Sequence, residues 1–159
     1  MGIFFGTDGI RGIVNDSLTC DVAFKCGNSV GASKSKPLII IGRDTRPTGS
    51  FLTTAFSSGA MSTGAKVVDI GVCTTPGIAY ITKKIGADYG VVVSASHNPV
   101  EYNGIKIFDS NGFKLGDKNE EYLERRFLHE IHTDCYNLGE YSQDFSLIKV
   151  YEDYLISSC

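Results

Sequence analysis

The 159-residue chain has no tryptophan, four prolines and two methionines, and no apolar run near the roughly 18–20 residues a membrane-spanning helix needs. A helical membrane protein is therefore excluded, and no membrane partner is expected. The opening Met1–Gly6 lacks the basic segment and long apolar stretch of a secretory leader. Its cysteines (20, 26, 73, 135 and 159) are odd in number, form no C-x-x-C pair and show no metal-ligand spacing. Reduced thiols, and so a cytoplasmic location, are the expectation. His129 and His132 lie three apart near a helix end with no third ligand in view, and they suit the helix dipole better than a metal. The net charge is −3, which argues against nucleic acid as a partner.

What is present is unevenly distributed. Glycine is 18 of 159 residues, about 11% where about 7% is usual, and only Gly139 lies beyond residue 116. Residues 1–116 carry eleven Lys/Arg against eight Asp/Glu; residues 117–159 carry four against ten. A site for an anion is therefore expected in the glycine-punctuated, mildly basic body, and the acidic remainder reads as a solvated or packing surface.

Leu38–Ile41, Lys66–Ile70, Gly90–Ser94 and Ile105–Phe108 are short, β-branched apolar runs bounded by glycine or turn residues, the pattern of buried strands. Asn111-Gly112, followed by Phe113–Leu115, signals a hairpin. Helical spacing follows Thr19 (Val22, Ala23, Cys26, Val30), Ser50 (Leu52, Ala55, Phe56, Gly59) and Thr75-Pro76 (Ile78, Ile81, Thr82, Ile85). Asp117-x-x-Glu120 predicts a capping box opening a helix through Leu123, Phe127, Leu128 and Ile131. Alternating strands and helices predict a three-layer α/β/α sandwich with a mixed, mainly parallel sheet. Residues 133–149 read as irregular. Residues 1–149 are assigned to one domain and 150–159 to the start of a linker helix. That helix has neither glycine cap nor proline stop, which predicts a chain that continues into a second domain.

Val93-Ser94-Ala95-Ser96-His97-Asn98-Pro99 begins at the carboxyl end of an apolar strand, where open α/β sheets place their ligand crevices. Small residues followed by a loop-forcing proline can aim several backbone N–H groups at one anion, and a serine hydroxyl there could carry a phosphoryl group. An ordinary polar loop is the competing reading. A hydrolase is disfavoured, because there is no G-x-S-x-G elbow and His97 directly adjoins Ser96. Gly6-Thr7-Asp8-Gly9-Ile10-Arg11-Gly12 surrounds one guanidinium with glycines that permit close approach to phosphate. Gly42-Arg43-Asp44-Thr45-Arg46 suits either an ion-pair network shaping the loop or direct contact with substrate. Lys106, in Asn103-Gly104-Ile105-Lys106, could neutralise phosphate or act as a general acid/base, or be a solvated strand residue.

Taken in order, Phe5–Gly12, Gly42–Arg46, Ser94–Pro99 and Asn103–Lys106 resemble the α-D-phosphohexomutases, over residues 3 to about 155. The match is nearest to the branch that interconverts glucosamine 6-phosphate and glucosamine 1-phosphate, and it covers the first, serine-bearing domain only. The resemblance implies that Ser96 exchanges a phosphoryl group with the sugar and that Lys106 is the acid/base. It implies phosphate-binding Arg11, with His97 shaping the loop. Thr7, Gly9, Asn98, Asn103, Arg43 and Arg46 become candidate phosphate- or substrate-binding residues. It further implies Mg²⁺ held by phosphorylated Ser96 and carboxylates of another domain, a phosphorylated hexose as substrate, and glucose or glucosamine bisphosphate as activator. The D-G-D-x-D-R metal loop, the G-E-x-S-G-H sugar loop and the distal phosphate clamp of the family do not occur in the chain. The 159 residues alone are therefore expected to give no sustained turnover. A mutase acting on mannose or glucose phosphates and a non-catalytic anion-binding module are the alternatives.

Overall fold

The run Ile39-Ile40-Ile41 divides the molecule into layers, because consecutive strand side chains point to opposite faces. In the computed structural model, which describes residues 6, 9–128 and 137–158, Ile39 and Ile41 join one apolar cluster and Ile40 the other. Val91 and Val93 follow the first pair, and Val92 follows Ile40. Strands buried on both faces read as continuous apolar runs, which is why these were visible in the sequence.

The elements run β1 (Ile10–Ile13), α1 (Cys20–Gly31), β2 (Leu38–Arg43), α2 (Gly49–Met61), β3 (Lys66–Val72), α3 (Thr75–Ile85), β4 (Tyr89–Val93), β5 (Tyr102–Phe108), α4 (Asp117–Leu128), β6 (Glu140–Gln143), a 3₁₀ turn (Phe145–Leu147) and α5 (Ile148–Ser157). The sheet order is β1-β5-β4-β2-β3-β6. Pairing is parallel at β2/β3, β2/β4 and β3/β6 and antiparallel at β1/β5 and β4/β5, so the sheet is mixed and mainly parallel. Residues of α1, α2 and α4 supply the cluster on one face (Cys26, Phe56, Leu123). Ile78 and Ile81 of α3, with Val150 and Tyr151 of α5, cover the other. This is the three-layer sandwich that the pattern predicts. No helix among the described residues is long and apolar enough to cross a membrane.

Several boundaries differ from the sequence reading, each for a local reason. The Thr19 hydroxyl caps α1 by accepting from the Val22 N–H at 3.3 Å. α2 starts before Ser50, with Thr48 at the cap position and its hydroxyl engaged by Asn103 instead of the helix. α3 has Pro76 in its first turn, as the sequence predicts, and Thr74 caps it, accepting from the Gly77 N–H at 3.2 Å. Asp117 is the first helical residue of α4, not its cap, and Glu120 pairs with Lys114 at 3.1 Å. The Asn111-Gly112 turn returns the chain as predicted, but through one bridge, Phe108 to Lys114, with no second full strand. Ile131, His129, His132, Cys135 and Cys159 lie outside the described residues.

Residues 133–149 are not all irregular: Glu140–Gln143 pairs with β3 from Lys66 to Asp69 as an edge strand. All four of its residues are exposed, so no apolar alternation betrays it.

The glycine excess has a structural outlet in the α1/α2 contact. A Cβ on Gly27 would run into the Phe56 carbonyl, and one on Gly59 into the Phe24 carbonyl. Gly31 faces Ala60 in the same way. The two helices approach backbone to backbone.

Candidate active site

Because β2 and β4 are adjacent and parallel, the segments that follow them leave the sheet side by side at its carboxyl edge. The 44–48 loop and the serine loop 94–101 thus meet over an open groove of about 410 Å³ lined by Asp44, Thr45, Arg46, Pro47, Ser96, Asn98 and Val100. Ser96 is exposed on that groove and has φ +58°, the left-handed region in which a non-glycine residue costs of order 1–3 kcal/mol unless its surroundings hold it.

They do hold it. Asp44 accepts the Arg46 N–H at 3.0 Å through one oxygen, and the Ser94 hydroxyl at 2.7 Å and Arg46 Nε at 3.1 Å through the other. With its proton directed to Asp44, Ser94 Oγ accepts the Ser96 N–H at 3.0 Å. Arg46 Nη2 donates to the carbonyls of Ser96 (2.9 Å) and Asn98 (2.7 Å), and Nη1 to those of Pro99 (2.6 Å) and Tyr102 (3.0 Å). Ser96 Oγ lies 3.4 Å from Nδ1 of the exposed His97, a loose contact. Asn98 lines the groove, and its own N–H closes the turn onto Ala95.

The two remaining cationic candidates arrive from the sheet. Arg11 of β1 lies opposite Gly104 of β5, and Lys106 lies opposite Val92 of β4. Ile10, Ile105 and Ile107 face the α1/α2 side, so Arg11 and Lys106 share the other face, diagonal to each other across the β1/β5 pair. Gly104 abuts the Ser94 carbonyl, which brings that face to the root of the serine loop. Gly9 has φ +89° and sits where a Cβ would strike the Ile105 carbonyl, so its glycine is required by strand packing. Thr7 lies outside the described residues.

Asn103 is 0% exposed, donates to Thr48 Oγ1 at 2.9 Å and accepts the Gly104 N–H at 2.9 Å. It ties β5 to the start of α2 and offers no surface to a ligand. Arg43 and Arg46 form two separate networks instead of one. Arg43 Nη1 reaches both oxygens of Asp69 at 3.3 Å, and Asp69 also accepts the Gly71 N–H (2.7 Å) and the Tyr141 hydroxyl (3.0 Å). Asp69 and Tyr141 were not anticipated from the sequence, since their meeting depends on the β3/β6 pairing. Burial, reinforced by the hydrogen bond to Asp69, raises the Tyr141 phenol above its usual 10.0. A proton held more tightly in the folded state means stability is lost as pH rises through the folded value. The wild-type protein is accordingly expected to lose thermal stability above about pH 10 more steeply than Tyr141→Phe, in melts recorded across that range.

Burial pushes the Cys26 thiol up to about 12 and also raises Cys73, so neither resembles an activated nucleophile. Among the described residues, no three His, Cys, Asp or Glu side chains converge. The Asp44 carboxylate beside Ser96 is already engaged by Ser94 and Arg46. The described residues therefore do not make a magnesium site by themselves.

A mixed α/β/α sandwich with a braced, groove-facing serine at its carboxyl edge matches a known class. The chain belongs to the phosphoglucomutase/phosphomannomutase family, whose α/β/α domain I matches residues 2–133. Within it the chain is similar to the phosphoglucosamine mutase of Bacillus mycoides (strain KBAB4), at 47% identity over 98% of this chain and 36% of that protein. The phosphoglucosamine mutase of Clostridioides difficile (strain 630) is 46% identical over 86% of this chain and 32% of its own length. The crystal structure of a phosphoglucomutase/phosphomannomutase family protein from Burkholderia thailandensis superposes with a TM-score of 0.79 at 27% identity, covering 94% of this chain and 34% of that one. The chain thus spans about a third of the length of the curated relatives it matches.

Proposed function

We propose that this chain supplies the phosphoryl-carrying serine of a cytoplasmic mutase that interconverts glucosamine 6-phosphate and glucosamine 1-phosphate. The observation that carries the reading is Ser96, exposed on an open groove and fixed at φ +58° in a chain of this family. The names of the similar proteins supply the sugar.

In this reading the sugar hydroxyl attacks the phosphorus of phospho-Ser96, the bond from phosphorus to Oγ breaks, and a bisphosphorylated sugar forms. After reorientation, Ser96 Oγ takes back the other phosphoryl group. Lys106 accepts and returns the hydroxyl proton, and Arg11 on the same sheet face meets phosphate charge, with His97 and Asn98 bordering the loop. A hexose bisphosphate restores the phosphoserine when it is lost. Magnesium would neutralise phosphate charge, with phospho-Ser96 as this chain's single contribution and the carboxylates supplied from the part of the relatives that this chain does not span. Residues 1–149 act as the serine-bearing domain, and residues 150–159, whose helix α5 begins at Ile148, lead toward that remainder. Phosphoryl transfer depends on positioning and charge neutralisation from several sides, so the 159 residues alone give no sustained mutase turnover.

Intact-mass measurement after incubation with glucose 1,6-bisphosphate tests the reading: the chain gains about 80 Da, and Ser96→Ala gains nothing. No adduct on the wild-type chain would favour an anion-binding module without transfer chemistry or a stretch of chain unable to transfer without the rest of the relatives' length, and an adduct that persists in Ser96→Ala would place the acceptor elsewhere.

A further inference from the structure

A guanidinium has five N–H donors and no acceptor. All five of Arg46 are engaged: one on Asp44, and two each on the carbonyl pairs Pro99/Tyr102 and Ser96/Asn98. None is left to point at a ligand, although the side chain borders the groove. Three carbonyls of the serine loop and that of Tyr102 at the start of β5 therefore converge on one planar cation.

The effect on residue 96 is specific. Its carbonyl is held by Arg46 and its N–H by Ser94, whose hydroxyl is in turn oriented by the Asp44 carboxylate that Arg46 also holds. Both peptide units around Ser96 are thus pinned, which is what a strained φ of +58° requires in order to persist. With the backbone fixed, the side-chain torsion alone remains to direct Oγ.

We propose that Arg46, acting with Asp44 and Ser94, is a positioning residue that sets the direction of Ser96 Oγ for phosphoryl transfer and does not hold phosphate. The proposal rests on the reading of Ser96 as the phosphoryl carrier. Lysine cannot replace the arginine, because three donors on one tetrahedral centre cannot span carbonyls arranged around a planar fork. Ser94 carries no charge, so Ser94→Ala removes the brace on the Ser96 N–H while leaving every cation in place.

The test follows the rate of adduct formation on the 159-residue chain across a range of glucose 1,6-bisphosphate concentrations. Arg46→Lys is expected to lower the maximal rate about 100-fold and Ser94→Ala about tenfold, each with the half-saturating concentration within about twofold of wild type. A half-saturating concentration raised about tenfold at unchanged maximal rate would make Arg46 a phosphate ligand and overturn the proposal, as would unchanged kinetics in both variants. Thermal melts show whether each variant is folded; if Arg46→Lys is not, Ser94→Ala carries the decision. Carbon chemical shifts of Ser96 give a readout that needs no transfer. A wild-type chain that takes no adduct would sink transfer by this chain alone. In that event, Ser96 shifts that stay left-handed in Arg46→Lys would sink the brace as well, and their loss would uphold it.

Discussion

Gly27→Ala should lower the stability of the domain by about 3 kcal/mol or more, which is beyond the ordinary range for one added methyl group. The added Cβ meets the carbonyl of Phe56, a backbone atom of the facing helix, and cannot be accommodated by turning a side chain. On intrinsic grounds the change should help, since alanine in a helix interior is favoured over glycine by about 1 kcal/mol. The sign is reversed because α1 and α2 have no room between them. Gly59→Ala, which meets the Phe24 carbonyl from the other helix, should behave alike. Gly116, with nothing within 4 Å of an added Cβ, provides the control, and Gly116→Ala should stay within about 1 kcal/mol. Denaturant melts followed by circular dichroism measure all three; a Gly27→Ala protein as stable as Gly116→Ala would refute the backbone-contact account.

Asp69→Ala should cost about 3–5 kcal/mol, the range for removing one member of a buried ion pair. The carboxylate is 3% exposed and serves three donors: Arg43, the Gly71 N–H and the Tyr141 hydroxyl. Its loss strands a partly buried guanidinium and a backbone donor together. The double variant Arg43→Met/Asp69→Leu should recover much of the loss, because two apolar side chains leave no charge unpaired. A cycle of the two single variants and a double variant, measured in urea, separates this from independent effects. If the single losses simply add, the pair is not coupled as its geometry requires.

Not all of this was open to inspection in the chain. Leu38–Ile41 and Gly90–Val93 announce themselves because burial on both faces demands uninterrupted apolar residues. The same logic hides β6, whose four exposed residues are strand only because Lys66–Asp69 offers a free edge. β1 overlaps the glycine cluster Gly6–Gly12, which carries no strand pattern, and its pairing with Tyr102–Ile105 makes it a strand. The serine loop was legible as a candidate site from small residues after a strand. The partners of the arginines were not. Arg43 and Arg46 are three residues apart in one motif, yet one reaches Asp69 on β3 and the other encircles the serine loop. That choice is made by sheet order, which no local window contains. Glycine was the most misleading signal: its abundance suggested backbone opened toward a ligand, and Gly27, Gly31 and Gly59 instead let two helices touch.

Arg46 and the Ser96 carbonyl it holds are separated by 50 residues, and its farthest acceptor, Tyr102, by 56. Between them lie α2, β3, α3 and β4, and the two loops come together only when β4 has zipped alongside β2. Contacts of such long range form late, after the loop-closure entropy of the intervening chain has been overcome. A growing polypeptide that has emerged as far as Asp88 already contains the arginine and lacks both the serine and its carbonyls. The left-handed geometry of residue 96 thus reports on sheet assembly: the Arg46 hydrogen bonds that hold it exist only once β4 lies alongside β2.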